Sequence, residues 1–341
     1  MNKNSYKNLA VNILLLLASA LFCTFILVFI IEARYFIETK NYLRCAWHDP
    51  NTKFDPELGW SPIPNRNINQ PDSGVLSSNS LGFRSAEIDQ NKKQIIILGD
   101  SFAWGFGVSD NETFPYYLGE MVSKSGYQVS NLAVSGYSID QYYLFLKRHI
   151  DKFNNLKQIV LVIYSGNDLQ DTGRNFNNGT RKPLFYFRNN NLVLTDNSIN
   201  EYCLKNLFSR SYFLGRSGLM YKKSFIRTIL NQIFGDKLLN SIEAQIVIIN
   251  LLQRINELAL SHNAKLLIVV NPSKEDLVEK SVSLKFFEYI FNKLKYNHIN
   301  YILILKNQRE LNSFYLMDGH YSKKGNMFLA KTVYEYLYKK L

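Results

Sequence analysis

From Gln94 onward the chain alternates between short apolar runs and longer amphipathic stretches. Ile95, Ile96, Ile97 and Leu98 follow one another without a polar interruption, which fits a strand buried on both faces of a parallel sheet. The same reading gives predicted strands at Gln94–Leu98, Gln128–Leu132, Gln158–Tyr164, Lys265–Val270 and Asn300–Leu305. Predicted helices separate them. Thr113–Ser125 follows Asn111 and has Pro115 in its first turn, good helix-start chemistry. Ile139–Phe153 carries Ile139, Tyr142, Tyr143, Leu146 and Ile150 as one apolar stripe. Ile242–Ser261, Leu284–Lys295 and Ser322–Leu341 complete the set. This alternation predicts an α/β domain with a parallel sheet of about five strands, helices on both faces and right-handed crossovers. It breaks between Asp171 and Ser241. There Leu184–Phe187 and Leu192–Leu194 flank Asn189-Asn190-Asn191 as a predicted β-hairpin, followed by a basic, aromatic stretch from Arg210 to Arg227. The region 171–241 reads as an insertion: a lid, a membrane-surface contact, a binder of anionic polymer, or a solvated helical addition.

The pattern before Gln94 is different. Residues 1–8 are short and polar, and Leu9–Ile31 carries no charge, long enough to cross a bilayer as a helix. Ala18-Ser19-Ala20 resembles a signal cleavage site, but the apolar run continues through Phe29, which favours an uncleaved anchor. Lys3 and Lys7 predict a cytoplasmic N-terminus, with everything beyond Ile31 periplasmic or extracellular. The segment 32–93 holds Arg34, Tyr35 and Trp47, suited to an interface, then the turn-rich run Asp55–Asn65 and Asn79–Arg84. It is expected to form an irregular cap over the domain 94–341.

Composition narrows the classes. The chain has 341 residues, 46% hydrophobic and 20% charged, enough to build a full core and exclude global disorder. Its net charge of +12 is scattered, without the basic run of a nucleic-acid arm. There are three Cys and no CxxC; Cys23 lies in the apolar stretch, and Cys45 and Cys203 could pair in an oxidising compartment.

Candidate chemistry sits in four loops. Gly99-Asp100-Ser101 follows the first predicted sheet strand, at the carboxyl edge where open α/β sheets bind ligands. Ser101 is a candidate nucleophile; the competing reading is a turn Ser capping the next helix. A nucleophilic Ser needs a base, a group orienting that base, and donors for an oxyanion. Of the five His, His48, His149, His262 and His298 lie in juxtamembrane or helix-end positions. His320, in Asp318-Gly319-His320, follows the last strand and precedes the last helix, and Asp318 could orient it. Gly136 after the second strand would offer a backbone N–H, and Asn167 after the third a side-chain NH₂.

The ordered set Gly99-Asp100-Ser101, Gly136, Gly166-Asn167-Asp168 and Asp318-Gly319-His320 resembles the four blocks of the SGNH/GDSL hydrolase family, from Gln94 to the C-terminus. The Gly59-Trp60 and Leu81-Gly82-Phe83-Arg84 segments are similar to the leader of its membrane-anchored bacterial members. The resemblance implies a three-layer flavodoxin-like domain, a Ser101–His320–Asp318 triad, and an oxyanion hole of Ser101 N–H, Gly136 N–H and Asn167. It implies no metal and no cofactor. Asp100 and Asp168 are expected to be structural. Phe102 stands where the family has Leu, an expected neutral apolar swap. The acid is two residues before the His rather than three, where Met317 sits, a spacing that resembles the Asp-x-His of alginate-acetylating relatives. The expected activity is that of a serine esterase acting on acyl groups, O-acetyl above all, of envelope carbohydrate or lipid. An O-acyltransferase would use the same acyl-enzyme and need a membrane acyl-donor partner; a non-catalytic envelope binding protein is the reading of a different class. Expected partners are the bilayer, through Leu9–Ile31, and the acylated substrate, not nucleic acid.

Overall fold

The computed structural model describes residues 3–39, 51–70, 74–177, 180–195, 238–273, 276, 281–294, 299–304 and 311–338. Cys45, Cys203, His48, His298 and the basic stretch 210–227 lie outside the described residues. The chain divides into two units, Met1–Cys45 with Asn200–Asp236, and Ala46–Ile199 with Lys237–Leu341. In the first, α1 (Lys3–Thr39) is one uninterrupted helix that runs on past Ala18-Ser19-Ala20. Its Val11–Arg34 stretch of 24 residues is long and apolar enough to cross a membrane, a test that a signal sequence passes as well.

The second unit begins with two antiparallel hairpins where an irregular segment was expected. β1 (Thr52–Asp55) pairs with β2 (Gly59–Pro62), and β3 (Asn67–Gln70) with β4 (Gly74–Ser77). Each strand has four residues, too few for alternation to register among Asn, Pro and Gly. Trp60 anchors the first hairpin: it is fully buried, its indole N–H donates to Ser135 O (3.1 Å), and its carbonyl accepts from the Tyr137 hydroxyl (2.6 Å). Gly59, at φ +87°, lies so close to Arg181 that a Cβ would come within 2.1 Å of the carbonyl oxygen. No L side chain fits there.

The sheet uses five parallel strands: β5 (Lys93–Leu98), β6 (Tyr127–Asn131), β7 (Leu156–Tyr164), and, after the small hairpins β8/β9 (Phe176–Asn177, Thr180–Arg181) and β10/β11 (Phe185–Arg188, Asn191–Leu194), β12 (Lys265–Asn271) and β13 (Asn300–Leu303). Their spatial order is β6-β5-β7-β12-β13. Counting sheet strands along the chain, that is 2-1-3-4-5, the flavodoxin-like order. The turn of β10/β11 is Asn189-Asn190, both at positive φ (50° and 60°), a two-residue primed turn rather than the three-Asn loop expected.

The apolar runs split by parity. Ile96 and Leu98 of β5, Ile159, Leu161 and Ile163 of β7, and Leu266, Ile268 and Val270 of β12 enter one buried cluster. Ile95 and Ile97, Val160 and Val162, and Leu267 and Val269 enter the other. Each such side chain contributes about 1.5–3 kcal/mol by leaving water. After α2 (Ser101–Trp104), α3 (Phe114–Val122) and α9 (Lys323–Tyr338) cover the second face through Leu118, Val122, Leu329 and Val333. The first face is covered by α4 (Ile139–His149), α6 (Ser241–Ser261) and α7 (Val282–Leu294). The result is a three-layer α/β/α domain. Like α2, the short helices α5 (Asp168–Thr172) and α8 (Leu311–Phe314) lie on the loops that build the site.

Candidate active site

Ser101, Gly136 and Asn167 stand just past the ends of β5, β6 and β7, and His320 stands on the loop after α8. β5 stops at Leu98, and Asp100 becomes the N-cap of α2, its carboxylate accepting from Phe102 N–H at 2.9 Å. Capping therefore falls to Asp100, not Ser101. The Ser101 hydroxyl is left to face His320, with Oγ 2.8 Å from Nε2. Ser101 N–H, in the first turn of α2, has no partner within that helix. Arg84 holds the loop after α2. Almost wholly buried, it donates to the carbonyls of Trp104, Gly105 and Val108, pairs with Asp110 at 2.7 Å, and lies over the Trp104 ring.

His320 comes from a tight loop. Tyr315 and Tyr321 bridge antiparallel, Leu316 N–H donates to His320 O (2.7 Å), and Gly319 turns the chain at φ +89°. The Tyr321 hydroxyl donates to Asn271 Oδ1 at the end of β12, tying this loop to the sheet edge. Asp318 Oδ2 lies 3.2 Å from His320 Nδ1 but out of line for a hydrogen bond. Its other oxygen accepts His320 N–H at 3.0 Å. Asp318 is thus a half-exposed charge beside the ring and a brace on the loop backbone.

The rings around His320 change the view of Phe102. Its ring stacks on Tyr164 (centroids 4.0 Å apart) and lies 5.0 Å from the His320 ring, with Phe106 at 4.7 Å on the same imidazole. A Leu there would lose these ring contacts, so Phe102 is not a neutral swap.

Gly136 follows β6 at φ +78°, and Asn167 follows β7. Ser101, Gly136, Asn167, Asp318 and His320 line one cavity of about 660 Å³. Its wall is otherwise polar, with Ser135, Ser165, Gln170, Asn177, Ser273 and Ser281, and its apolar part is aromatic, from Phe102, Phe106 and Tyr164. Sequence reasoning missed Asp171, one helical turn beyond Asn167 in α5, and Asn177, which the small hairpin after α5 folds back onto Asp171.

The floor beneath is acidic and buried. Asp168 accepts from Tyr164 N–H (2.8 Å) and the Tyr142 hydroxyl (3.0 Å). Burial pushes the Asp100 carboxyl up to about 7, and burial beside Asp100 raises Asp168 well above the carboxylate range. Burial also raises Asp171, against the pull of Arg174. Both Asp100 and Asp168 serve as hydrogen-bonding supports. A fully buried ion pair, Lys182 with Asp140, lies alongside; Lys182 also donates to the carbonyls of Asp171, Arg174 and Pro183.

The other described histidines are elsewhere. His149 packs on Phe83 and Phe145, where burial lowers it to about 4, and His262 pairs with Asp151 at 2.9 Å. Among the described residues no group of three or more His, Cys, Asp or Glu could hold a metal ion.

No family model matches the chain, and no curated protein matches it. Solved structures do align with it. One is TesA, at 12% identity and a TM-score of 0.43, covering 73% of this chain and 100% of the other. A GDSL-like lipase from Bacteroides thetaiotaomicron aligns at 14% and 0.41, covering 75% and 93%. A lipolytic protein of the G-D-S-L family from Veillonella parvula aligns at 11% and 0.40, covering 71% and 97%. Many of these structural neighbours are GDSL/SGNH hydrolases. At such identities and scores the chemistry of this chain rests on its own residues.

Proposed function

We propose that the chain is a membrane-anchored serine esterase of the SGNH/GDSL type, acting on O-acyl groups of cell-envelope carbohydrate. The observation that carries the reading is the 2.8 Å approach of Ser101 Oγ to His320 Nε2 in a cavity at the carboxyl edge of the sheet. In this reading His320 takes the Ser101 proton as the oxygen attacks the ester carbonyl. The Asp318 charge favours the imidazolium that forms. Ser101 N–H, Gly136 N–H and the Asn167 amide receive the oxyanion. His320 then protonates the departing sugar alcohol, and a water that it deprotonates releases the acid. The polar wall, rich in Ser, Asn and Gln, suits a hydroxyl-bearing acyl carrier, and the aromatic patch suits the face of a sugar ring.

α1 supplies the anchor in this proposal, with the N-terminus cytoplasmic and the catalytic unit outside. The decisive experiment treats the full-length protein in detergent with a fluorophosphonate probe. Labelling is expected at Ser101 and lost in Ser101→Ala; equal labelling of both overturns the reading. Release of acetate from acetylated polysaccharide then tests the substrate class, and transfer of acetate to an added glycan faster than its release makes the enzyme a transferase.

A further inference from the structure

The Asn167 side chain holds an unfavourable pose. Its Oδ1 is buried without a hydrogen-bond partner, while its Nδ2 donates to Asp171 Oδ2 at 2.9 Å. A buried orphan acceptor costs free energy, and rotating the amide by half a turn would change which atom is orphaned. The rotation is blocked because it would set Oδ1 against the Asp171 carboxylate. Held against the Arg174 guanidinium, the Asp171 carboxylate acts as an acceptor and tolerates only the NH₂ end of the amide.

The same carboxylate oxygen accepts from Asn177 Nδ2 at 3.2 Å. Asn177 Nδ2 in turn donates to Gly136 O at 3.1 Å. One oxygen therefore links the loops that carry the two donors lying outside α2. Asp171 is itself held. Its second oxygen is 2.5 Å from Arg174 Nη2, its N–H donates to Asn167 O at 2.8 Å, and its carbonyl accepts from the buried Lys182. Both Asp171 and Asn177 face the cavity.

We infer that Asp171 and Asn177 form a clamp that positions the oxyanion hole: Asp171 locks the Asn167 amide with its NH₂ toward the reacting carbonyl, and Asn177 passes the same restraint to the Gly136 turn. Both are positioning residues, and the inference rests on the esterase reading above. Without the lock the Asn167 amide turns freely and spends part of its time presenting a carbonyl oxygen to a developing negative charge. That harms the transition state and leaves ground-state binding nearly untouched, so the loss appears in kcat rather than KM.

The test uses full-length protein in detergent and p-nitrophenyl acetate. Asp171→Asn keeps the size and removes the obligatory acceptor; kcat is expected to fall about 10- to 100-fold, below the ~10²–10³ of a deleted donor, with KM within about twofold. In the Asn167→Ala background the same substitution is expected to cost no more than about twofold, because the residue it acts through is gone. Asn177→Ala leaves the buried charges in place and is expected to lower kcat in the same selective way. It decides the matter if Asp171→Asn fails to fold by circular dichroism. Unchanged kcat in a folded variant, a loss confined to KM, or full additivity of Asp171→Asn with Asn167→Ala overturns the clamp. Absence of Ser101-dependent turnover in the parent protein overturns the esterase reading and the clamp with it.

Discussion

Replacing Asp318 by Asn separates its two jobs. The carboxylate braces the loop through His320 N–H and sits 3.2 Å from His320 Nδ1. An Asn oxygen can keep the brace, so the variant removes only the charge. Coulomb's law at that distance gives about 1.3 kcal/mol at the dielectric constant of water and about 5 kcal/mol at an effective value of 20. The side chain of Asp318 is 48% exposed and that of His320 23%, while Nδ1 itself is buried, which sets the pair between these two limits. At about 1.4 kcal/mol per decade, the expected fall in kcat is ~10- to 100-fold. This is far less than the ~10⁴ that accompanies loss of a buried, hydrogen-bonded triad acid. The deficit is expected to shrink as salt is raised from 0.05 to about 1 M, since screening weakens the parent's pair and the Asn variant has none to lose. Initial rates with p-nitrophenyl acetate at two salt concentrations measure both effects. A salt-independent loss of ~10⁴ would refute the reasoning, because it requires an Asp318 enclosed and aligned with Nδ1; no loss at all would remove the acid from the mechanism.

Two predictions concern stability. Burial raises Asp100 from 3.8 to about 7, so between those values the unfolded chain gives up its proton while the folded chain keeps it. Stability contributed at low pH is therefore lost as pH rises from about 4 to about 7. Asp100→Asn retains the acceptor for Phe102 N–H and is expected to gain in Tm over the parent progressively across that window; a gain independent of pH, read by thermal unfolding, contradicts the assignment. Arg84→Met leaves the carbonyls of Trp104, Gly105 and Val108 and one face of Asp110 without their donor. Urea denaturation is expected to show a loss of about 3–5 kcal/mol, and a loss under about 1 kcal/mol would mean that the loop after α2 holds itself.

Local pattern exposed the sheet because parity and burial coincide there. Ile95–Leu98 sends alternate side chains to two covered faces, and a run apolar on both is visible without knowing its neighbours. Ser101, Gly136 and Asn167 are legible for a related reason: each follows a strand end, and parallel strands carry all such ends to one edge; His320 is legible as the His just before the last helix, although α8 separates it from β13. What stayed hidden depends on partners distant in the chain. Arg84 and Lys182 look like surface cations, yet Arg84 meets carbonyls about twenty residues on, and Lys182 meets Asp140 inside the protein. Phe102 reads as a generic apolar residue until His320, from the far end of the chain, comes to lie beside its ring. Asp318 was legible in position only; its exposure and alignment belong to the shape of the loop.

Trp60 bears on how much chain before β5 the Gly136 turn depends on. It precedes every strand of the parallel sheet, yet its indole and carbonyl bind Ser135 and Tyr137 on either side of Gly136. The first hairpin is thus a buttress built outside the parallel sheet and leaning on the Gly136 turn. A fragment cut just before β5 would retain the whole sheet and the Ser101–His320 pair while leaving the Gly136 turn unpropped. A fragment that keeps this prop must therefore include β1 and β2, and one cut after them is a means of loosening the Gly136 turn without changing a residue in the cavity.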